Sequence, residues 1–156
     1  MEEKMFYLQE GNIIPAERIG MIELGMSRET AETIIDFSAM KRLDGYATDY
    51  NVYEGGDIRI WIKNNIIYHI MAFGDFKGKL LGEFGVGSYL ADIEKKLNAI
   101  SKDELDVWIF DEMKGICFEL SEEQNDEADE YYEREPYVAW CKANLPIEFI
   151  FVYPVE

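Results

Sequence analysis

The segment Ile58-Arg59-Ile60-Trp61-Ile62 is followed by Lys63 and by the pair Asn64-Asn65. Apolar residues alternate with other residues in this segment, which is typical of a β-strand with one buried face. An asparagine pair between two such runs favours a two-residue hairpin turn, because asparagine tolerates the left-handed backbone that the turn needs. The sequence therefore predicts a β-hairpin centred on Asn64-Asn65.

The turn also predicts which residues of this hairpin face the core. The expected cross-strand pairs are Ile62 with Ile67, Ile60 with His69, Ile58 with Met71, Trp61 with Tyr68, and Arg59 with Ile70. The first three pairs, which include His69 and Met71, are expected on the buried face, and the last two pairs, which include Trp61 and Tyr68, on the opposite face.

A second segment, Leu105-Asp106-Val107-Trp108-Ile109, repeats the alternation around a tryptophan. A four-residue loop over 112–115 is expected to turn the chain into a second strand that pairs Ile109 with Phe118. This register places Trp108 opposite Glu119, away from the core. The predicted outcome is an aromatic sheet surface made of Trp61, Tyr68, Trp108 and Phe110.

An alternative is that the remaining chain covers this surface, since long apolar strands are usually covered. A short helix beginning at Pro136, with Tyr137, Trp140 and Cys141 on one side, is the element that would do so.

Two helices are predicted, each after a glycine-containing turn. Ser27 is expected to cap a helix over 28–37, and Ser88 a helix over 89–100. Each helix precedes a hairpin, which indicates an internal repeat over about 20–73 and 82–120. The expected fold class is α+β, with two helix-hairpin units forming an antiparallel sheet and helices packed on one face. Residues 147–153 are expected to complete the sheet and 5–8 to add an edge, within a single domain of 1–156.

Acidic residues dominate the charge of the chain. There are 32 acidic and 15 basic residues, for a net charge of −17, and nine carboxylates with one arginine lie within residues 119–135. This excess argues against direct binding of nucleic acid and favours an electrostatic docking surface for a basic partner. The alternative is that residues 119–135, here called the acidic insert, form a solvated loop.

Few residues are suited to catalysis or metal binding. The chain has one histidine, His69, which is expected in the core, and two cysteines, Cys117 and Cys141, without the spacing of a zinc site or a redox pair. We therefore expect no enzyme activity, no catalytic residue, no metal and no cofactor. An enzyme built on paired carboxylates is the third hypothesis, because any acid-rich chain contains such pairs.

No run approaches the length of a membrane span, and the first residues lack the pattern of a signal peptide. A cytoplasmic location without membrane association is the expectation.

The stretch Ile19-Gly20-Met21-Ile22-Glu23-Leu24-Gly25-Met26-Ser27 resembles the helix start G-x-I-x-L-G-M-S of small bacterial immunity proteins, which are often encoded beside polymorphic or contact-dependent toxins. It is also similar to the helix start in the repeats of the beta-lactamase-inhibitor and outer-membrane-assembly lipoprotein group. The chain departs from these last members because it shows no lipidation cysteine or export signal. The resemblance implies a cytoplasmic inhibitor rather than an envelope protein.

The expected function is that of an immunity-type inhibitor that binds a basic toxin domain, with a nuclease as the favoured target. The alternative is an acidic nucleic-acid mimic or a regulatory binding protein with a non-toxin target. Exposed sheet aromatics would equally form the seam of a homodimer. The candidate partner-binding residues are Glu122, Glu123, Asp126, Glu127, Asp129, Glu130, Tyr131, Tyr132, Glu133, Trp61, Tyr68 and Trp108.

Overall fold

A computed structural model describes residues 12–45, 49–103, 107–121 and 135–155. The twelve strands within these residues are β1 (Asn12–Ile14), β2 (Arg18–Ile19), β3 (Ile22–Glu23), β4 (Lys41–Leu43), β5 (Tyr50–Gly55), β6 (Ile58–Lys63), β7 (Ile66–Phe73), β8 (Lys79–Leu80), β9 (Ile100–Lys102), β10 (Trp108–Phe110), β11 (Ile116–Leu120) and β12 (Ile147–Val152). The helices are α1 (Arg28–Ala31), α2 (Leu90–Lys96) and α3 (Glu135–Asn144), with a 3-10 helix at Phe37–Ala39.

The fold is mainly β, and the predicted α+β class with two helix-hairpin units is wrong. Eight strands form one large sheet in the order β4-β5-β6-β7-β12-β11-β10-β9, and four short strands form a small sheet in the order β3-β2-β1-β8. The two predicted hairpins belong to the same large sheet, and β12 pairs with both of them at its centre. They are therefore parts of one layer rather than two repeated units. The strand predicted over 147–153 is present as β12, which ends at Val152 and belongs to the large sheet.

Helix α1 begins where the sequence predicted and ends early. The Ser27 hydroxyl accepts a hydrogen bond from the Thr30 amide, which confirms Ser27 as the N-cap. The helix contains only four residues, because the chain turns after Ala31 and a new 3-10 turn starts at Asp36, whose side chain accepts from the Ser38 amide. The β-branched side chains that follow also have restricted rotamers in a helix, which weakens its continuation.

Helix α2 is also shorter than predicted. Its N-cap position is Tyr89, and the Ser88 hydroxyl instead accepts from the Gly85 amide at 2.9 Å, within the preceding turn. The predicted cap at Ser88 is therefore wrong, because this hydroxyl is already used to close a turn.

The first hairpin turns at Asn64 and Asn65, as predicted, and both residues have left-handed φ angles of 53° and 62°. Its register starts as expected with Ile62 opposite Ile67, and it then shifts at a β-bulge so that Trp61 lies opposite His69. The prediction that His69 lies on the core face is therefore wrong. One additional residue on β7 moves every later side chain to the other face.

The second hairpin has a different register from the predicted one. Trp108 lies opposite Phe118, and Ile109 lies opposite Cys117. Five residues, 111–115, connect the strands instead of four, and Gly115 has a φ of 93°. This one-residue difference turns Trp108 and Phe110 into the core, where they are 5% and 3% exposed. Their predicted place on the opposite face is wrong.

One face of the large sheet carries the core. The three isoleucines of β6 and Ile67 and Ile70 of β7 are buried in one cluster. The cluster also contains Phe118, Ile150 and Val152, and residues of the small sheet and of α1 to α3. No polar or charged side chain is buried within the described residues. The small sheet and the helices therefore cover this face.

Helix α3 lies on the core side, so it does not cover the Trp61 face as the alternative prediction had it. Cys141 is buried in the core cluster, and Lys142 donates to Glu94 of α2 at 2.8 Å.

No helix within the described residues is long and apolar enough to cross a membrane. The predicted edge strand at 5–8 lies outside the described residues.

Candidate functional site

The side of the large sheet opposite the core carries eight aromatic side chains, here called the aromatic face. They come from β5, β6, β7, β12 and the residue after β12: Tyr50, Trp61, Tyr68, His69, Phe73, Phe149, Phe151 and Tyr153. All eight are half-buried. Strand alternation explains three members of this set, since Phe149, Phe151 and Tyr153 alternate with the core residues Ile150 and Val152.

The β-bulge adds His69 to this face. The register shifts between Ile62 and Trp61. The side chains of the consecutive residues Tyr68 and His69 therefore lie on the same face of the sheet as Trp61, instead of on opposite faces. The rings of Tyr68 and His69 are stacked, with centroids 4.7 Å apart and an angle of 26° between their planes. Bulges often aim an additional side chain at a functional surface.

Ring contacts connect the aromatic face from one end to the other. Trp61 is 6.2 Å from His69 and 6.3 Å from Phe151, measured between centroids. Phe149 is 6.4 Å from Phe151 and 6.2 Å from Phe73. These distances lie within the usual range for interacting aromatic pairs. The rings hold one another in place, so the face is a pre-organised apolar surface.

Two positive side chains lie over rings at the β5–β6 side of this face. Lys63 Nζ is 5.4 Å from the Tyr50 ring and 5.6 Å from the Tyr68 ring, and it pairs with Asp49 at 3.6 Å. Such cation–π contacts are electrostatically favourable.

The Arg59 guanidinium, four residues before Lys63 on β6, has the same kind of arrangement. It lies 5.7 Å from the Trp61 ring, and its Nη2 is 2.6 Å from Glu54 Oε1. Each of these two cations therefore contacts both an aromatic ring and a carboxylate.

Three groups on this side of the sheet have shifted pKa values: His69 and Tyr153, which are half-buried, and Cys117, which is buried and lies opposite Phe151. Burial lowers the pKa of His69, which favours the neutral imidazole. Burial, with the charges of Glu119 and Asp103, raises the pKa of the Cys117 thiol to about 12. Burial also raises the pKa of Tyr153. Each of these groups is therefore kept in its neutral form near neutral pH, which suits an apolar contact surface and does not produce a reactive nucleophile.

The predicted site residues have different outcomes. Trp61 and Tyr68 lie together on the aromatic face, whereas Trp108 lies in the core. The nine predicted residues of the acidic insert fall outside the described part of the chain: Glu122, Glu123, Asp126, Glu127, Asp129, Glu130, Tyr131, Tyr132 and Glu133. Within the described part, no group of three or more histidine, cysteine or acidic residues is placed to hold a metal ion.

The sequence prediction missed six members of the face, namely Tyr50, His69, Phe73, Phe149, Phe151 and Tyr153. The alternation of aromatic and aliphatic residues over 149–153 was a usable signal for three of them. The placement of His69 required the bulge, which the local pattern did not indicate.

Comparison with known proteins gives a likeness of fold. No protein-family model matches the chain, and no curated protein matches it. The crystal structure of the uncharacterized protein yfeY from Escherichia coli superposes with a TM-score of 0.55 at 11% identity, over 93% of this chain and 97% of that one. A cysteine-rich secretory protein from Staphylococcus aureus gives a TM-score of 0.47 at 13% identity, over 94% of this chain and 50% of that one. The chain thus shares its fold with the Escherichia coli protein.

Proposed function

We propose that this protein binds a basic protein partner through its aromatic face and acts as an immunity-type inhibitor of a toxin domain, with a nuclease as the favoured target. The observation that carries this proposal is the continuous set of eight half-buried aromatic side chains on the side of the sheet opposite the core. Tyrosine, tryptophan and phenylalanine are enriched at protein interfaces and supply most of the large contributions to binding.

The charge of the chain favours a basic partner. A net charge of −17 produces a field that attracts positively charged proteins and raises the rate of their encounter. Glu119, the first carboxylate of the acidic insert, is paired with Phe149 across the sheet and so belongs to the aromatic face. In this proposal the carboxylates of the insert speed association, and the rings slow dissociation.

The alternative function, an acidic nucleic-acid mimic or regulatory protein with a non-toxin target, relies on the same charge. The two hypotheses differ in the identity of the partner, and the product of the neighbouring gene distinguishes them. An immunity protein is expected to bind the product of its neighbouring gene and to inhibit its activity.

The experiment is to purify this protein with the product of the neighbouring gene and to measure association rates at two salt concentrations. A matched variant carries Asp126→Asn, Glu127→Gln, Asp129→Asn, Glu130→Gln and Glu133→Gln. We expect slower association and a weaker salt dependence for this variant, because long-range attraction is reduced. Unchanged rates would remove the acidic insert from the mechanism, and failure of the two proteins to bind would contradict the immunity function.

A further inference from the structure

One end of the aromatic face combines two phenyl rings with a carboxylate. Phe73 of β7, Phe149 of β12 and Glu119 of β11 are directly opposite one another across three neighbouring strands. The two rings are 6.2 Å apart, and all three residues are half-buried. We call this set the Glu119 row.

Elsewhere the protein places a cation of its own between rings and a carboxylate. The Arg28 guanidinium lies 4.9 Å from the Phe37 ring and 5.0 Å from the Tyr53 ring, and it pairs with Glu32 at 3.2 Å. Arg59 and Lys63 are held in the same way on the aromatic face, as described above. The fold thus uses one arrangement three times to bind a basic side chain.

The Glu119 row has the rings and the carboxylate of this arrangement. Among the residues that the structure describes, no lysine or arginine lies over the Phe73 or Phe149 ring. We infer that the Glu119 row binds an arginine side chain of the protein partner. This inference rests on the proposed function and specifies the chemical group that the aromatic face recognises.

Arginine fits this row better than lysine for two reasons. Its planar guanidinium stacks on an aromatic ring, and its paired N–H groups match the two oxygens of a carboxylate. The net charge of −17 adds a general attraction for such a group. The inference does not require Glu119 to lack other contacts, because a carboxylate accepts several hydrogen bonds at once.

The test uses the isolated protein and a small probe. N-acetyl-arginine methylamide is titrated while the aromatic and methyl resonances of the protein are followed by NMR, and the citrulline analogue serves as the neutral probe of the same shape. We expect saturable shifts that centre on Phe73 and Phe149 with the arginine probe. Equal shifts with the citrulline probe, or shifts that do not include these two rings, would overturn the inference.

Variants assign the binding to the row. Glu119→Gln keeps the size of the side chain and is expected to weaken probe binding by about three- to fivefold or more. Glu148→Gln is the matched control, because Glu148 is an exposed carboxylate of β12 at the bulge between the Glu119–Phe149 and Leu120–Ile147 pairs. Equal affinities for wild type and Glu119→Gln would also overturn the inference.

Failure of this inference can be told apart from failure of the proposed function. The probe titration needs no partner, whereas the proposed function is tested with the product of the neighbouring gene. If Trp61→Ala weakens that complex but the arginine probe does not bind the row, the inference falls and the proposed function stands.

Discussion

Trp61 and His69 lie side by side on the aromatic face, with their ring centroids 6.2 Å apart and their planes at 65°. A simple two-residue hairpin would place Tyr68, not His69, opposite Trp61. The bulge that shifts the register brings Tyr68 and His69 together beside the tryptophan. One inserted residue therefore increases the aromatic area on this side of the sheet and turns Ile70 into the core, opposite Ile60.

The buried position of Trp108 predicts a large loss of stability on truncation. Trp108→Ala removes a side chain that is 5% exposed and packs in the core cluster. We expect the free energy of unfolding to fall by about 3–5 kcal/mol. Trp140, which is 41% exposed on α3, is the matched control, and Trp140→Ala is expected to cost about 1 kcal/mol or less. Urea denaturation measures the loss of stability in both variants. Equal losses would contradict the register of the second hairpin that turns Trp108 into the core.

Gly115 is predicted to tolerate no side chain. Its φ is 93°, and a Cβ atom there would lie 2.4 Å from the Cβ of Ala16 and 2.5 Å from its amide nitrogen. Gly45 has a similar φ of 96°, and a Cβ atom there would meet no atom of the described residues within 4 Å, so Gly45→Ala is a control for the backbone cost alone. We expect Gly115→Ala to destabilise the protein by about 1–3 kcal/mol more than Gly45→Ala. Comparable unfolding midpoints for the two variants would argue against the contact between Gly115 and Ala16.

His69 predicts a pH dependence of stability. Burial lowers its pKa below the ordinary value of 6.5, so between the two pKa values the unfolded chain binds more protons than the folded one. The contribution of neutral His69 to the free energy of unfolding is fully present above pH 6.5. It is lost as the pH falls through the pKa of His69 in the folded state. We expect the stability difference between wild type and His69→Gln to shrink from about pH 7.5 to about pH 5.5. A difference that grows on acidification would contradict the burial of this imidazole.

Cys117 is predicted to be chemically inert in the folded protein. Its thiol is buried and has a pKa raised to about 12, so only about one molecule in ten thousand carries the reactive thiolate at pH 8. A Cys141→Ala background leaves one thiol to follow with a disulfide reagent. We expect negligible labelling of the folded protein and rapid labelling in urea. Rapid labelling without denaturant would show that the thiol is accessible and ionised.

The sequence predicted those elements whose signals are local. The Asn64-Asn65 turn, the cap at Ser27 and the final strand were identified because a few neighbouring residues determine each of them. The early end of α1 was not predicted, since it depends on the turn after Ala31 and on the cap that Asp36 provides for the next turn.

Features that depend on distant partners were not predicted correctly. Gly115 accepts hydrogen bonds from the amides of Ala16 and Tyr153, which lie far away in the chain, and these contacts accompany the longer loop that turns Trp108 inward. The insertion of β12 between β7 and β11 is equally non-local. It brings Phe149 and Phe151 beside Trp61 and His69, so the sequence revealed only part of the aromatic face.

The dissociation constant of the complex with the product of the neighbouring gene tests the central claim most directly. It is measured for wild type, for Trp61→Ala on the aromatic face, and for Trp140→Ala on α3, with folding checked by thermal unfolding. We expect Trp61→Ala to weaken binding by at least about 30-fold, as for an interface hot spot, and Trp140→Ala to leave it unchanged. Equal affinities for wild type and Trp61→Ala, with both proteins folded, would contradict the proposal that the aromatic face binds the partner.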